Sequence, residues 1–344
     1  MQQFRYEFTV TPGLESVAER ELAATPWGNR AALQVSVGAL TAESSVSYPH
    51  DQMLRTAIAL YEVLDFEVPR PKALLSHQHL SQIIRAAQAV VERGGYKTVS
   101  ISAAGKSTEV MQRLLAELSG ALGLESARDV GDLHVRIRRS SLYTDGWAVL
   151  LRQTPRPWAT RPWRIENLPG ALHAPVAAAM AVLAQIPDHA RVLNAGAGSG
   201  TIAIETRMMF PSVEVVALDV EWRHICLTKQ HSQAAHLRGG CFLQADAERL
   251  PFTSAAFAVV LSDLPFGQWM GRQRDLRAVY TRWLKETARV TQLEGRGIFL
   301  THAVRLMMEV LADVQDVWQV EKIMPITLNG LHPRLFLLRR RSTR

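Results

Sequence analysis

A strand that runs directly into three alternating glycines and then into a helix sets the tightest limit on what this chain can fold into. In RVLNAGAGSGTIAIE, residues 191–205, an apolar strand meets Gly196, Gly198 and Gly200, and a helix opens at Thr201. Glycine is demanded where a backbone turns tightly and must approach a ligand with no Cβ in the way. An ordinary strand-to-helix turn does not ask for three of them at alternate positions. A nucleotide cofactor does, and a dinucleotide fingerprint would want a further glycine at position 201, where the chain has Thr201.

From Leu172 onward strand and helix alternate strictly. The helix APVAAAMAVLAQI precedes strand RVLNAG, helix TIAIETRMMF, strand EVVALD, helix WRHICLTKQHSQAAHL, and the strands CFLQAD and FAVVLSD. Helix RDLRAVYTRWLKETARV, strand RGIFLTH and helix VRLMMEVLADV follow, and VWQVEKIMP and RLFLLRR close as an antiparallel pair. Short continuous apolar strands separated by helices predict a doubly wound α/β domain with a mostly parallel sheet. The N-terminal half reads differently. Strand Phe4 to Val10 turns at Thr11-Pro12-Gly13 into a helix from Leu14 to Ala23, and AALQVSVGAL is a further strand. The spacing predicts a helix through DQMLRTAIALYEVL, then helix LSQIIRAAQAVVERGG, strand KTVSISA, helix KSTEVMQRLLAELSGALG and a strand pair LHVRIRRS and GWAVLLR. Between the halves, TPRPWATRPWRIENLPG carries four prolines and no apolar period, as a linker does.

At 344 residues the chain is long enough for two domains, and 47% hydrophobic with 21% charged residues is globular composition. No apolar run spans a bilayer, no secretory layout opens the chain, and two cysteines make neither a disulfide framework nor a zinc site. A cytoplasmic chain with no membrane partner and no metal is expected, with a monomer favoured. The net charge of +7 is unevenly placed: Arg136, Arg138, Arg139, Arg152, Arg156, Arg161 and Arg164 crowd one stretch. Period-two alternation in LHVRIRRS puts Val135 and Ile137 toward a core and His134, Arg136 and Arg138 on an exposed face. A basic face of that kind suits a polyanion such as RNA, and equally a solvated strand.

Acidic residues stand at the ends of the next two strands, Asp219 beside Val220 and Asp246 beside Ala247. A carboxylate about 20–25 residues beyond such glycines is placed for ribose hydroxyls, and the next one for an adenine amino group. With Asn194, Ala195, Gly196, Gly198, Gly200 and Thr201 they form the candidate cofactor site, and the G-x-G-x-G spacing resembles the loop of class I S-adenosylmethionine methyltransferases. At the end of the fourth strand comes Ser262-Asp263-Leu264-Pro265-Phe266-Gly267. It resembles the (Asp/Asn)-Pro-Pro-(Phe/Tyr/Trp) signature of enzymes that methylate exocyclic amino groups of bases. An aromatic amine is a poor nucleophile because its lone pair is delocalised into the ring. A carboxylate and a neighbouring backbone carbonyl that bind its two N–H groups would aim the nitrogen at a methyl donor. Asp263 is the expected acceptor, Leu264 and Pro265 its backbone support, and Phe266 a stacking platform.

Taken together, D-L-P-F-G, the glycine loop, the opening TPGLESVAERELA and the segment PGALHAP resemble the THUMP-domain RNA guanine-N2 methyltransferases. The resemblance implies a Rossmann-like methyltransferase domain over 173–344, a linker over 156–172, a THUMP-like RNA-binding domain over 51–155 and a ferredoxin-like α/β subdomain over 1–50. It implies S-adenosylmethionine as cofactor, guanine N2 as acceptor and RNA, foremost the acceptor stem of tRNA, as partner; the candidate RNA contacts Arg136, Arg138, Arg139, Arg156, Arg161 and Arg164 are read from the local basic stretch alone. Where that family's first loop starts Asp-Pro, this chain has Asn194-Ala195, one expected contact fewer. Adenine N6 in RNA or DNA, guanine N2 in ribosomal RNA, and an RNA-binding protein with a degenerate methyltransferase half stay open.

Overall fold

The computed structural model describes residues 3–265 and 275–342. Two compact units emerge, one comprising Met1–Val10 and Ala18–Ala159, the other Thr11–Val17 and Thr160–Arg344. No helix among the described residues is long and apolar enough to cross a membrane.

The first unit is built on one continuous sheet of eight strands. They are β1 (Phe4–Val10), β2 (Ala32–Ser36), β3 (Ala39–Ser44), β4 (Ala57–Phe66), β5 (Thr98–Ala103), β6 (Glu125–Ser126), β7 (Leu133–Arg139) and β8 (Trp147–Arg152), in the order β2-β3-β1-β4-β8-β7-β5-β6. Helix α1 (Glu15–Ala23) follows β1, and α2 (His77–Val91) and α3 (Glu109–Leu122) follow β4 and β5. Ile83, Ala87 and Val90 of α2 and Met111, Leu114 and Leu118 of α3 share one core with Val99, Leu133, Val135, Ile137, Val149 and Leu151 of the strands.

Two expectations for this half are corrected. Residues 57–66 form a strand and not a helix, pairing antiparallel with β1 on one side and β8 on the other. A central strand buried on both faces loses its period of two and reads as a plain apolar run, which periodicity cannot separate from a buried helix. AALQVSVGAL, read as one strand, is a hairpin of β2 and β3 turning at Val37-Gly38, where Gly38 takes a φ of 76°.

The second unit carries α4 (Ala174–Leu183), β9 (Arg191–Ala195), α5 (Thr201–Met209), β10 (Glu214–Asp219), α6 (Trp222–Ala234), β11 (Cys241–Gln244) and β12 (Phe257–Asp263). After them come α7 (Leu276–Val290), β13 (Thr291–Thr301), α8 (Val304–Asp313), β14 (Trp318–Pro325) and β15 (Arg334–Arg340). The strand order is β11-β10-β9-β12-β13-β15-β14, parallel except for β15, which runs against β13 and β14. Apolar side chains fill both faces, which explains the unbroken apolar strands of the sequence. The order reverses between β9 and β12, and the crevice beyond the carboxyl ends of strands at such a reversal is where open α/β sheets bind ligands.

Candidate active site

At that reversal the ends of β9 and β12 are tied together. Ser262 Oγ donates to the carbonyl of Ala195 at 2.8 Å, and Asn194 Nδ2 donates to that of Leu261 at 3.3 Å. The glycine loop then leaves β9 with Gly196, Gly198 and Gly200 all at positive φ, 71°, 54° and 82°. At the first and last of them the local packing also resists a larger residue. A Cβ on Gly196 would stand 3.0 Å from the Trp283 ring, and one on Gly200 would stand 2.6 Å from Thr228 Cγ2.

Above the loop lies a cavity of about 480 Å³, lined by Gly196, Gly198, Thr201, Asp219, Val220, Asp246, Ala247 and Asp263 of the expected residues, together with Leu264 and Pro265. Asn194, Ala195 and Gly200, expected among the cofactor contacts, are not part of this lining. Asn194 is 0% exposed and its amide faces β12, so the lost Asp-Pro contact is replaced by a tie within the sheet. Phe266 lies outside the described residues.

Asp219, at the end of β10, is held rigidly. Its Oδ2 accepts the Gly198 N–H at 2.8 Å, and its Oδ1 accepts Glu221 N–H at 3.0 Å and the His224 Nδ1 proton at 3.1 Å. An ionised carboxylate offers about four lone-pair sites, so about one is left for a ligand hydroxyl. Glu221, on the same lining, supplies further acceptor capacity. Asp246 caps its own turn through Glu248 N–H at 2.9 Å and is an exposed residue of the cavity lining.

Asp263 ends β12 in the same cavity, part-buried, with no hydrogen-bond partner on its carboxylate among the described residues. Burial penalises its charged form and pushes its pKa from 3.8 up to about 7. A carboxylate withdrawn from water with no partner among the described residues is costly, and such groups mark places where a ligand supplies the missing donors.

Three parts of the wall were not foreseen. Leu168, Pro169, Gly170, Ala171 and Leu172 close one side, Trp283 stands behind Gly196, and His224 braces Asp219. The 168–172 stretch belongs to the segment read as linker, and that segment explains two misassigned arginines. Arg161, expected to touch RNA, is 0% exposed in its side chain and forms an ion pair with Glu205 at 2.9 Å. Arg164 donates to the Leu172 carbonyl at 2.8 Å and to Thr201 Oγ1 at 2.9 Å, which fastens the segment to the start of α5. The Arg161 guanidinium has no surface to offer a phosphate, and that of half-buried Arg164 is committed to these internal bonds. Trp158 and Trp163 are likewise buried, in core clusters of the first and second unit respectively.

In the first unit the arginine face is only partly free. His134, expected on the exposed face, is buried, bonded to Ser100 Oγ at 3.0 Å, and pushed down to about pKa 4 by burial with Arg152 and Arg136 close by. Arg136 lies over the Tyr61 ring at 4.4 Å and Arg138 pairs with Glu7. Arg138, Arg139 and Arg156 are exposed, Arg139 resting on Trp147 at 4.7 Å.

Residues 161–334 match the family described as UPF0020: RMKL-like, methyltransferase domain. The tRNA (guanine(6)-N2)-methyltransferase of Thermus thermophilus is 27% identical over 96% of this chain and 98% of that protein. The crystal structure of TrmN from Thermus thermophilus superposes with a TM-score of 0.78 at 25% identity, covering 98% of this chain and 99% of that one. The U6 snRNA (guanine-N(2))-methyltransferase THUMPD2 of Bos taurus is 33% identical over 38% of this chain, which is 25% of that protein.

Proposed function

The chain belongs to the UPF0020 family of RMKL-like methyltransferase domains, and we propose that it transfers a methyl group from S-adenosylmethionine to the exocyclic N2 of a guanine in RNA. The observation that carries the acceptor assignment is Asp263, a part-buried carboxylate without a partner among the described residues, in one cavity with the glycine loop.

The cavity suits the cofactor by its own chemistry. Gly198 opens its backbone toward it, where a Cβ would point at Leu168 Cδ2 at 3.9 Å, and the adenosine half would find Asp219, Glu221 and Asp246 as acceptors. S-adenosylmethionine supplies an electrophilic methyl group, and the rest is done by this chain. Asp263 and the neighbouring carbonyl of Leu264 present acceptors to an amino group and fix its direction. A partner that brings two donors favours the ionised form of Asp263, which is acceptor-only. Guanine offers it two adjacent donors, N1–H and N2–H, whereas adenine sets an acceptor beside its amino group. That match supports guanine N2 over adenine N6. A base inside a duplex cannot reach such a pocket without leaving its stack.

The relative from Thermus thermophilus, named for guanine 6 of tRNA and aligned along nearly the whole chain, supports tRNA as the RNA and its acceptor stem as the site. The first unit, with exposed Arg138, Arg139 and Arg156, is the part proposed to hold it. The test is Asp263→Ala, assayed for transfer from labelled S-adenosylmethionine and for binding of S-adenosylhomocysteine. Transfer is expected to vanish while binding survives; parallel loss of both would contradict the role given to Asp263.

A further inference from the structure

Behind the acceptor residues runs a chain of hydrogen bonds whose direction is forced, through Tyr280 and Thr301, which lie outside the cavity lining. The carbonyl of Pro265 can only accept, so Tyr280, 2.8 Å away, gives its one hydroxyl proton there. The Tyr280 oxygen, 2.7 Å from Thr301 Oγ1, then accepts the threonine proton. Thr301 Oγ1 in turn accepts the N–H of Ala303 at 2.9 Å. Tyr280 and Thr301 are both 0% exposed, so no water competes for these bonds. Burial also pushes the tyrosine up to about pKa 12, with the nearby Asp263 adding to the effect, so the hydroxyl keeps its proton.

The two flanks of the acceptor segment are thereby pinned to one place in the sheet. Leu264 N–H donates to the carbonyl of Leu300 at 2.8 Å, and Pro265 O is held from Thr301, the next residue of β13, through Tyr280. Between the pins stands the Leu264 carbonyl, without a partner among the described residues, and the Asp263 carboxylate stands just before the first pin. The direction of that carbonyl follows from the peptides on either side of it.

We propose that Tyr280, with Thr301 behind it, is a positioning residue for methyl transfer, fixing the aim of the Leu264 carbonyl, beside Asp263, at the substrate amine. The proposal rests on the acceptor reading of Asp263-Leu264-Pro265 given above. An error of 1 Å in such an aim costs about a hundredfold in rate, whereas substrate and cofactor binding spread over many other contacts.

The experiment uses the full chain with unmodified tRNA and compares wild type, Tyr280→Phe, Thr301→Val and Thr301→Ser. Tyr280→Phe keeps the ring and loses the hydroxyl. Thr301→Val keeps the shape and loses the donor, and Thr301→Ser restores it. Tyr280→Phe and Thr301→Val are expected to lower kcat by about ten- to a hundredfold, with affinity for S-adenosylhomocysteine unchanged and Thr301→Ser near wild type. A merely structural role would depress thermal stability and leave kcat of the folded fraction untouched. That result, or equal rates for Thr301→Val and Thr301→Ser, overturns the proposal. Should wild type label a nucleoside other than N2-methylguanosine, the guanine reading falls, and the same kcat comparison on that nucleoside still decides for or against Tyr280.

Discussion

Replacing Asp263 by asparagine should make the protein more stable, and by an amount that depends on pH. Burial raises the carboxyl pKa from 3.8 to about 7, so between those values the folded protein holds a proton that the unfolded chain has lost. Wild-type stability from this group is therefore present below pH 3.8, falls as pH rises toward 7, and stays low above it. A shift of about three units at about 1.4 kcal/mol each sets a ceiling of about 4 kcal/mol. Asp263 is only part-buried and opens on the cavity, so about half of that, ~2 kcal/mol, is expected. The Asp263→Asn side chain is neutral throughout and of the same size. Urea titrations at pH 4, 5.5, 7 and 8.5 should show the variant gaining on wild type up to pH 7 and holding a constant lead beyond it. Stability curves that run parallel from pH 4 to 8.5 would refute the claim that this carboxylate is withdrawn from water at an energetic cost. A cost of this kind is what a site pays when it is shaped for a ligand and not for the empty protein.

Arg161→Met should destabilise the second unit by about 3–5 kcal/mol, since it strands Glu205 as a buried charge, and Arg161→Met with Glu205→Leu should recover most of the loss. Thermal melts check both; a stable Arg161→Met with weakened RNA binding would return Arg161 to the RNA surface. Charge reversal at Arg139 and Arg156 together should reduce the slope of log affinity for RNA against log salt by about 2. A filter-binding series across salt concentrations that shows an unchanged slope would remove the first unit's exposed arginines from the interface.

What the sequence made legible is what local pattern controls. The strand–glycine–helix junction announced itself because Gly196, Gly198 and Gly200 sit at backbone angles that other residues avoid. Asp219, Asp246 and Asp263 were readable because the carboxyl ends of consecutive strands necessarily gather on one edge of a parallel sheet. The rest depended on contacts between distant residues. Arg161 looked like a free cation until Glu205, on a helix 44 positions later, was brought against it. His134 alternates correctly for an exposed face, yet its neighbours bury that face around Tyr61. The stretch Leu168–Leu172 has no period because it forms neither helix nor strand, and its place on the cavity wall comes from the bonds of Arg164. A clue was present for Tyr280 and Trp283: both fall on the apolar face of α7, where an aromatic hydroxyl and an indole seldom lie without work to do.

The central claim is that the protein, through this cavity and its Asp263 carboxylate, methylates N2 of guanine in tRNA. The direct measurement incubates the purified chain with unmodified tRNA and labelled S-adenosylmethionine, digests the RNA to nucleosides and identifies the one that carries label. Label in N2-methylguanosine, mapped to the acceptor stem, is the result the account predicts. Label in N6-methyladenosine, or none in tRNA from a protein shown to bind S-adenosylhomocysteine, would contradict it.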